Sequence, residues 1–382
     1  MMRWERGTVR EQTGAWPGVV RVDVEVAASE TIRALAYTEL TGAPLPGETV
    51  LLNTNALRRG LGTGGDALVV SRPDALGTPP DADDAGPAHD GHMMKARYTP
   101  MQVMVDAVDD PASEHYARMQ AATSLEGMLV IAADLHSALP AIVAGIRMDA
   151  PSARIAYVLT DGAALPAWYS RSVATLREHG LLASCISAGQ AFGGDLEAVS
   201  IPSALLAARH VVGADVAIAI QGPGNLGTGT AWGFSGVQAA DALNIASVLG
   251  GQAIGALRVS QTDPRERHRG LSHHSATTYG RLLHVPTAFA LPAGPESPQL
   301  VHHHPDDSAF HASVREQLIT SIIDPAAERG TEHTLVETDP TGVHAALSAL
   351  PVRLSTMGRG LDADTAAFTY AAAAGRAAAR NL

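Results

Sequence analysis

The chain has 382 residues, 46% of them hydrophobic and only 4% aromatic, and its 39 acidic and 27 basic residues leave a formal net charge of −12. That length suggests two domains, with enough apolar surface to fold without disulfides or a structural metal. The acidic balance argues against a general nucleic-acid surface, which needs a basic face, but leaves room for a local cationic pocket that takes a small anion.

The first residues, Met1-Met-Arg-Trp-Glu-Arg-Gly-Thr-Val9, contain no apolar stretch of the kind that opens a secretory signal. No run approaches the ~18 apolar residues that span a bilayer. A cytoplasmic protein without membrane contact is therefore expected. Residues 1–72 read as short strands, with Val19–Val26, Thr49–Leu52 and Ala67–Val70 rich in β-branched and aliphatic residues. Pro17-Gly18, Pro46-Gly47 and Gly64-Gly65 punctuate them, which predicts a small β-barrel-like domain. Residues 73–95 read as a linker, because Gly77–Pro87 is built from Pro, Gly, Asp and Ala and buries too little to order itself.

Residues 96–382 are expected to form one α/β domain that ends in a helical segment. Apolar strands are predicted at Met128–Ala133, Arg154–Leu159, Ser184–Ser187, Asp215–Ile220, Ile254–Val259, Pro286–Pro292 and His333–Glu337. Helices are predicted between or after them at Leu139–Met148, Ser170–His179, Pro202–Val212, Val237–Leu249, 308–323, Gly342–Leu350 and Ala363–Arg380. Such βα repeats imply an α/β fold with a mainly parallel, Rossmann-like sheet and helices on both faces. Cys185, the one cysteine, lies in the apolar run Leu181–Ile186, where a buried structural thiol is expected. The Ala-rich helix at 363–380 is apolar over more of its circumference than a lone surface helix needs, which suggests a homodimer or larger homo-oligomer.

In a parallel sheet, ligands bind beyond the carboxyl ends of strands. The segments that follow the predicted strands are rich in glycine and polar residues. Gly222-Pro-Gly224-Asn-Leu-Gly227, continued by Thr228, Gly229 and Thr230, matches G-x-G-x-x-G. Its glycines would let backbone amides approach an anion. It is read as an anion or phosphate loop, as a dinucleotide loop, or as a tight structural connection; Arg258 stands where a ribose-binding acidic residue would be expected. Arg265, Arg267 and Arg269 could clamp a phosphate or carboxylate, or belong to a solvated charged loop. His273-His274 could supply a general acid/base or a metal ligand. Asp134-x-His136 with Asp161 partly matches a two-metal hydrolase pattern, though Asn225 is not followed by His. Gly60–Gly65 has the same glycine chemistry and reads as a hairpin turn, or as a loop that closes over the same cleft. His302-His-His304 is expected to be exposed and able to pick up metals non-specifically.

Together, Gly91–Pro100, Asp161–Pro166, Gly189–Glu197, Gly222–Gly236 and Asp263–His274 resemble an uncharacterised bacterial family, the domain of unknown function numbered 3866. The resemblance covers nearly the whole chain and implies no activity, cofactor or catalytic residue. From the residues themselves, an enzyme acting on a small anionic or phosphorylated metabolite at an interdomain cleft is expected. In that reading Gly222–Thr230, Arg265 and Arg267 hold the anion, and Asp161, His136, His273 and His274 move protons, with no cofactor or metal assigned. A nucleotide-like ligand sensor or assembly protein and a metal-dependent hydrolase stay open as alternatives.

Overall fold

The computed structural model describes residues 3–61, 64–75, 93–293 and 307–382. The chain divides into two compact units, Met1–Asp90 and Gly91–Leu382. The linker expected over 73–95 straddles that boundary, and of it only Pro73–Ala75, a 3-10 turn, and Met93–Lys95, a short strand, are described. Gly62 and Thr63 of the small-domain glycine loop and His302–His304 lie outside the described residues.

The first unit is a closed barrel of β1 (Trp4–Trp16), β2 (Val19–Glu25), β3 (Thr31–Tyr37), β4 (Thr49–Asn53) and β5 (Ala67–Ser71). The strand order is β1-β2-β3-β5-β4, with β3 and β5 parallel and every other pair antiparallel, as in OB-type barrels. Alternate residues of β2, Val20, Val22 and Val24, face a core shared with Ile32, Ala34, Val50, Leu52 and Val69. Two register shifts bend β1, so its two halves pair with different neighbours, β4 and β2. Arg58 bonds Glu5 through Nε at 2.9 Å and Nη2 at 2.7 Å, and Glu30 at 2.7 and 2.9 Å.

The second unit is built on an eight-stranded, all-parallel sheet. Its strands in chain order are β6 (Leu129–Ala133), β7 (Ile155–Thr160), β8 (Ser184–Ser187), β9 (Leu196–Glu197), β10 (Val216–Gln221), β11 (Gln252–Gly255), β12 (Thr287–Pro292) and β13 (Thr334–Thr338). Across the sheet they run β9-β8-β7-β10-β6-β11-β12-β13. Every residue of β6, β7 and β10 is buried, because helices cover both faces. One face presents Val130, Ala132, Ala156, Ala217 and Ala219 to helices α3 (Ile201–Ala207), α4 (Ala239–Val248) and α5 (His273–Leu282). The other presents the larger Leu129, Ile131, Ile155, Tyr157 and Ile218 to α1 (Leu139–Asp149), α2 (Arg171–Glu178), α7 (Val343–Ser348) and α8 (Thr365–Ala379). Between β12 and β13 runs α6 (Asp307–Leu318). Cys185 is buried in β8.

The apolar circumference of the helix over 365–379 is covered by its own chain. Residues 368–379 of α8 are all buried within their own chain, against α1 and the sheet. The two helices cross at glycines: a side-chain carbon on Gly145 would run into the carbonyl of Ala372, and one on Gly375 into that of Ile142. Arg376 closes the contact with two 2.8 Å bonds to Asp149. Among the described residues no helix is long and apolar enough to cross a membrane.

Two predictions follow from these contacts. Gly145→Ala should destabilise the second unit by about 1–3 kcal/mol through overpacking, outweighing the gain of ~1 kcal/mol in helix propensity. A lower urea midpoint at unchanged slope would show it. In the barrel, hydrogen bonding to Arg58 holds the Glu5 carboxyl at about 2, below its ordinary 4.5. The unfolded chain therefore binds the extra proton, so Glu5 contributes stability that is complete above pH 4.5 and disappears as pH falls toward 2. Melting curves of Glu5→Gln should show a shallower acid limb for the barrel transition than those of the wild type.

Candidate functional site at the carboxyl edge of the sheet

The topology itself selects a place. The chain leaves central β6 toward β7 and β8, then returns to insert β10 between β7 and β6 before crossing to β11 on the far side. The crevice at such a reversal, beyond the carboxyl ends of the strands, is where open α/β sheets bind ligands. Gln221 closes β10, Asp134 follows β6, and Arg258 lies just past β11. Gln221 Nε2 donates to the Asp134 carbonyl at 2.9 Å.

Helix α5 carries the chemistry to that edge. Its Tyr279 hydroxyl lies 2.9 Å from the Ala132 carbonyl and 3.1 Å from that of Ala256, which pins the helix to β6 and β11. Ser272 caps the helix by accepting from the His274 N–H at 3.2 Å. The segment before it leaves at Val259-Ser260 and returns antiparallel at Gly270-Leu271, so it brings His268 back beside the helix start. His268, His273 and His274 form one cluster in which a nitrogen of each ring lies within 4.8 Å of the others. Phe234 stacks on His274 with ring centroids 3.7 Å apart.

Asp134 organises the cluster. Its Oδ2 lies 3.2 Å from His274 Nδ1 and 3.3 Å from Arg258 Nη1, and Arg258 Nη1 is 2.9 Å from the same Nδ1. His268 Nδ1 is 2.7 Å from Ser272 Oγ. His273 Nε2 is buried without a hydrogen-bond partner among the described residues. Burial pushes the Asp134 carboxyl up, but Arg258 and His274 outweigh it and hold the group below its ordinary value. Desolvation lowers His268 to about 3, aided by Arg258 and Arg265, and lowers His273 to about 4, aided by His274 and Arg267. Both imidazoles are neutral at pH 7.

The residues expected from sequence divide between this cluster and other contacts. Gly222–Phe234 folds on itself: Gly227 bridges Phe234, Thr228 N–H donates to the Gly233 carbonyl at 2.7 Å, and the Thr228 and Thr230 hydroxyls lie 3.0 Å apart. Asn225 Oδ1 ties its base by accepting from Ser235 Oγ at 2.8 Å and Gln221 Nε2 at 3.1 Å. Gly224 and Thr228–Thr230 are exposed, and α4 begins only at Ala239, after this excursion has closed. A methyl group on Gly229 would sit 3.9 Å from the Arg267 guanidinium, so the glycine excursion and the arginine segment lie side by side. Arg267 and Arg269 are exposed and make no ion pair among the described residues.

Arg265 bonds Asp263 at 2.9 and 2.8 Å, and Asp263 is held from the other side by Arg359 at 3.1 Å. His136 Nε2 lies 2.7 Å from Ser170 Oγ, with Tyr157 3.2 Å from its Nδ1. Asp161 accepts the Gln190 N–H at 2.9 Å. Neither His136 nor Asp161 hydrogen-bonds His273 or His274. His268 was expected at the same edge as Arg265, Arg267, His273 and His274; Arg258 entered only as a departure from the dinucleotide pattern, and Phe234 and Arg359 carried no local pattern that singled them out. A solvent-open pocket adjoins Asp134 and is lined by Ser137, Arg258, Ser260, Asp263 and Arg359.

A family model described as "Protein of unknown function (DUF3866)" matches residues 33–375. No curated protein and no solved structure matches the chain. The match begins inside β3, so it takes in β4 and β5 of the barrel and nearly all of the α/β unit, including every residue of the histidine cluster, and the chain belongs to the DUF3866 family.

Proposed function

We propose that the chain is an enzyme acting on a small anionic substrate, a phosphate or carboxylate compound, at the carboxyl edge of β10, β6 and β11. One observation carries the reading: neutral imidazoles and a guanidinium without an ion-pair partner among the described residues meet where the strand order reverses. His273, the least buried ring of the cluster, is unprotonated at pH 7 and so presents an acceptor nitrogen. Asp134 orients His274, as a carboxylate orients a catalytic imidazole. Arg267 supplies the fork that binds carboxylate or phosphate oxygens, next to the Thr228 and Thr230 hydroxyls of the exposed tip. Arg265 has no part in this, because Asp263 already takes its fork.

Thermal unfolding in rising phosphate or sulfate tests the anion site. The wild-type melting temperature should climb by mass action on the folded state. Arg267→Ala should abolish the climb and leave the starting temperature nearly unchanged. Arg265→Ala should lower the starting temperature, since it leaves the buried Asp263 with Arg359 alone, and keep the climb. No climb in the wild type, or a climb that survives in Arg267→Ala, would exclude Arg267 as the anion holder.

A further inference from the structure

We infer that His268, His273 and His274 form a binding site for a divalent transition metal of the zinc type. The site goes beyond anion binding, because it rests on the imidazoles alone. Three imidazole nitrogens within 4.8 Å of one another need only small side-chain shifts to share one ion. Three histidines are a ligand set that leaves the fourth tetrahedral position to water or to a substrate oxygen.

The hydrogen bonds around the cluster fit this use. His268 and His274 each have Nδ1 engaged, by Ser272 and by the Asp134–Arg258 pair, so Nε2 is the nitrogen each has left to give. His273 Nε2 is buried and unpartnered among the described residues. His274 has two competing arrangements. If Nδ1 accepts from Arg258, the ring proton sits on Nε2 and no ligand results. If Nδ1–H donates to Asp134, Nε2 carries a free lone pair. A metal selects the second, which is the carboxylate–histidine–metal relation that fixes tautomer and ring orientation at metal centres. Asp134 and Arg258 cancel in charge, so a bound dication leaves the site positive and suited to an anionic ligand.

The test uses the full chain, stripped with chelator, with His302, His303 and His304 replaced by Ala to remove their separate affinity for metals. Titrated with Co(II), this protein should bind a single equivalent, show the visible d–d absorption of four-coordinate cobalt, and release it to Zn(II). His273→Ala in that background should abolish the spectrum with circular dichroism unchanged; the residue is half-buried at a helix start, so its loss spares the core. Asp134→Asn should weaken binding by roughly ten- to a hundredfold while the cobalt spectrum is kept at saturation. Absence of saturable binding in the background protein, or binding that His273→Ala leaves intact, would overturn the site. Because Arg267→Ala leaves all three imidazoles in place, it should bind cobalt normally even where it no longer responds to phosphate; loss of cobalt binding in that variant would overturn the site's independence of the anion.

Discussion

The carboxyl edge depends on a buried negative charge. Asp134 is 3% exposed and follows the last residue of the central strand. Desolvation pushes its carboxyl up, and Arg258 from beyond β11 and His274 from α5 outweigh that and hold it below its ordinary value. Removing Arg258 would break the buried ion pair and leave His274 as the remaining partner, and breaking such a pair typically costs about 3–5 kcal/mol. Three separate stretches of chain are thus compelled to meet at one point, and the imidazoles and the glycine excursion take their positions from that meeting.

The sheet shows how far sequence patterning reaches. Strands β6, β7 and β10 were legible because burial on both faces writes them as unbroken apolar runs. The first barrel strand was not, because only Gly7 and Val9 of its 13 residues are buried and it is held by backbone pairing that leaves no apolar alternation. Helix α5 was missed for a different reason. Its sequence, His273-His-Ser-Ala-Thr-Thr-Tyr-Gly-Arg-Leu282, is poor in helix formers, and its stability comes from Tyr279 and from Gly280, which lies against the Ser321 carbonyl.

The candidate site was legible in part for related reasons. Strand-end reasoning led to the loops after β10 and β11, which lie side by side at Gly229 and Arg267. It could not show that Arg265 would turn back to Asp263, two residues earlier, nor that Asp161 would be engaged by the Gln190 backbone. Both are local geometries that depend on where a side chain points. That His268 would stand beside His273 and His274 was not legible, since it follows from the return of its loop onto Val259-Ser260, a pairing of two residues on each side that leaves no trace in composition.

The crossing of α1 and α8 bears on how the unit is made. Arg376 and Asp149, joined across it, are separated by 227 positions. Until synthesis has passed residue 379, the apolar face of α1 and Ala290 of β12 lack the helix that covers them. A nascent chain must therefore keep that surface from other polypeptides for most of the time it takes to emerge. Topologies dominated by such distant closures fold slowly and expose sticky intermediates. The alanines and glycines that let α8 seat so closely also make it a late and demanding step of assembly, and one where dependence on chaperones would concentrate.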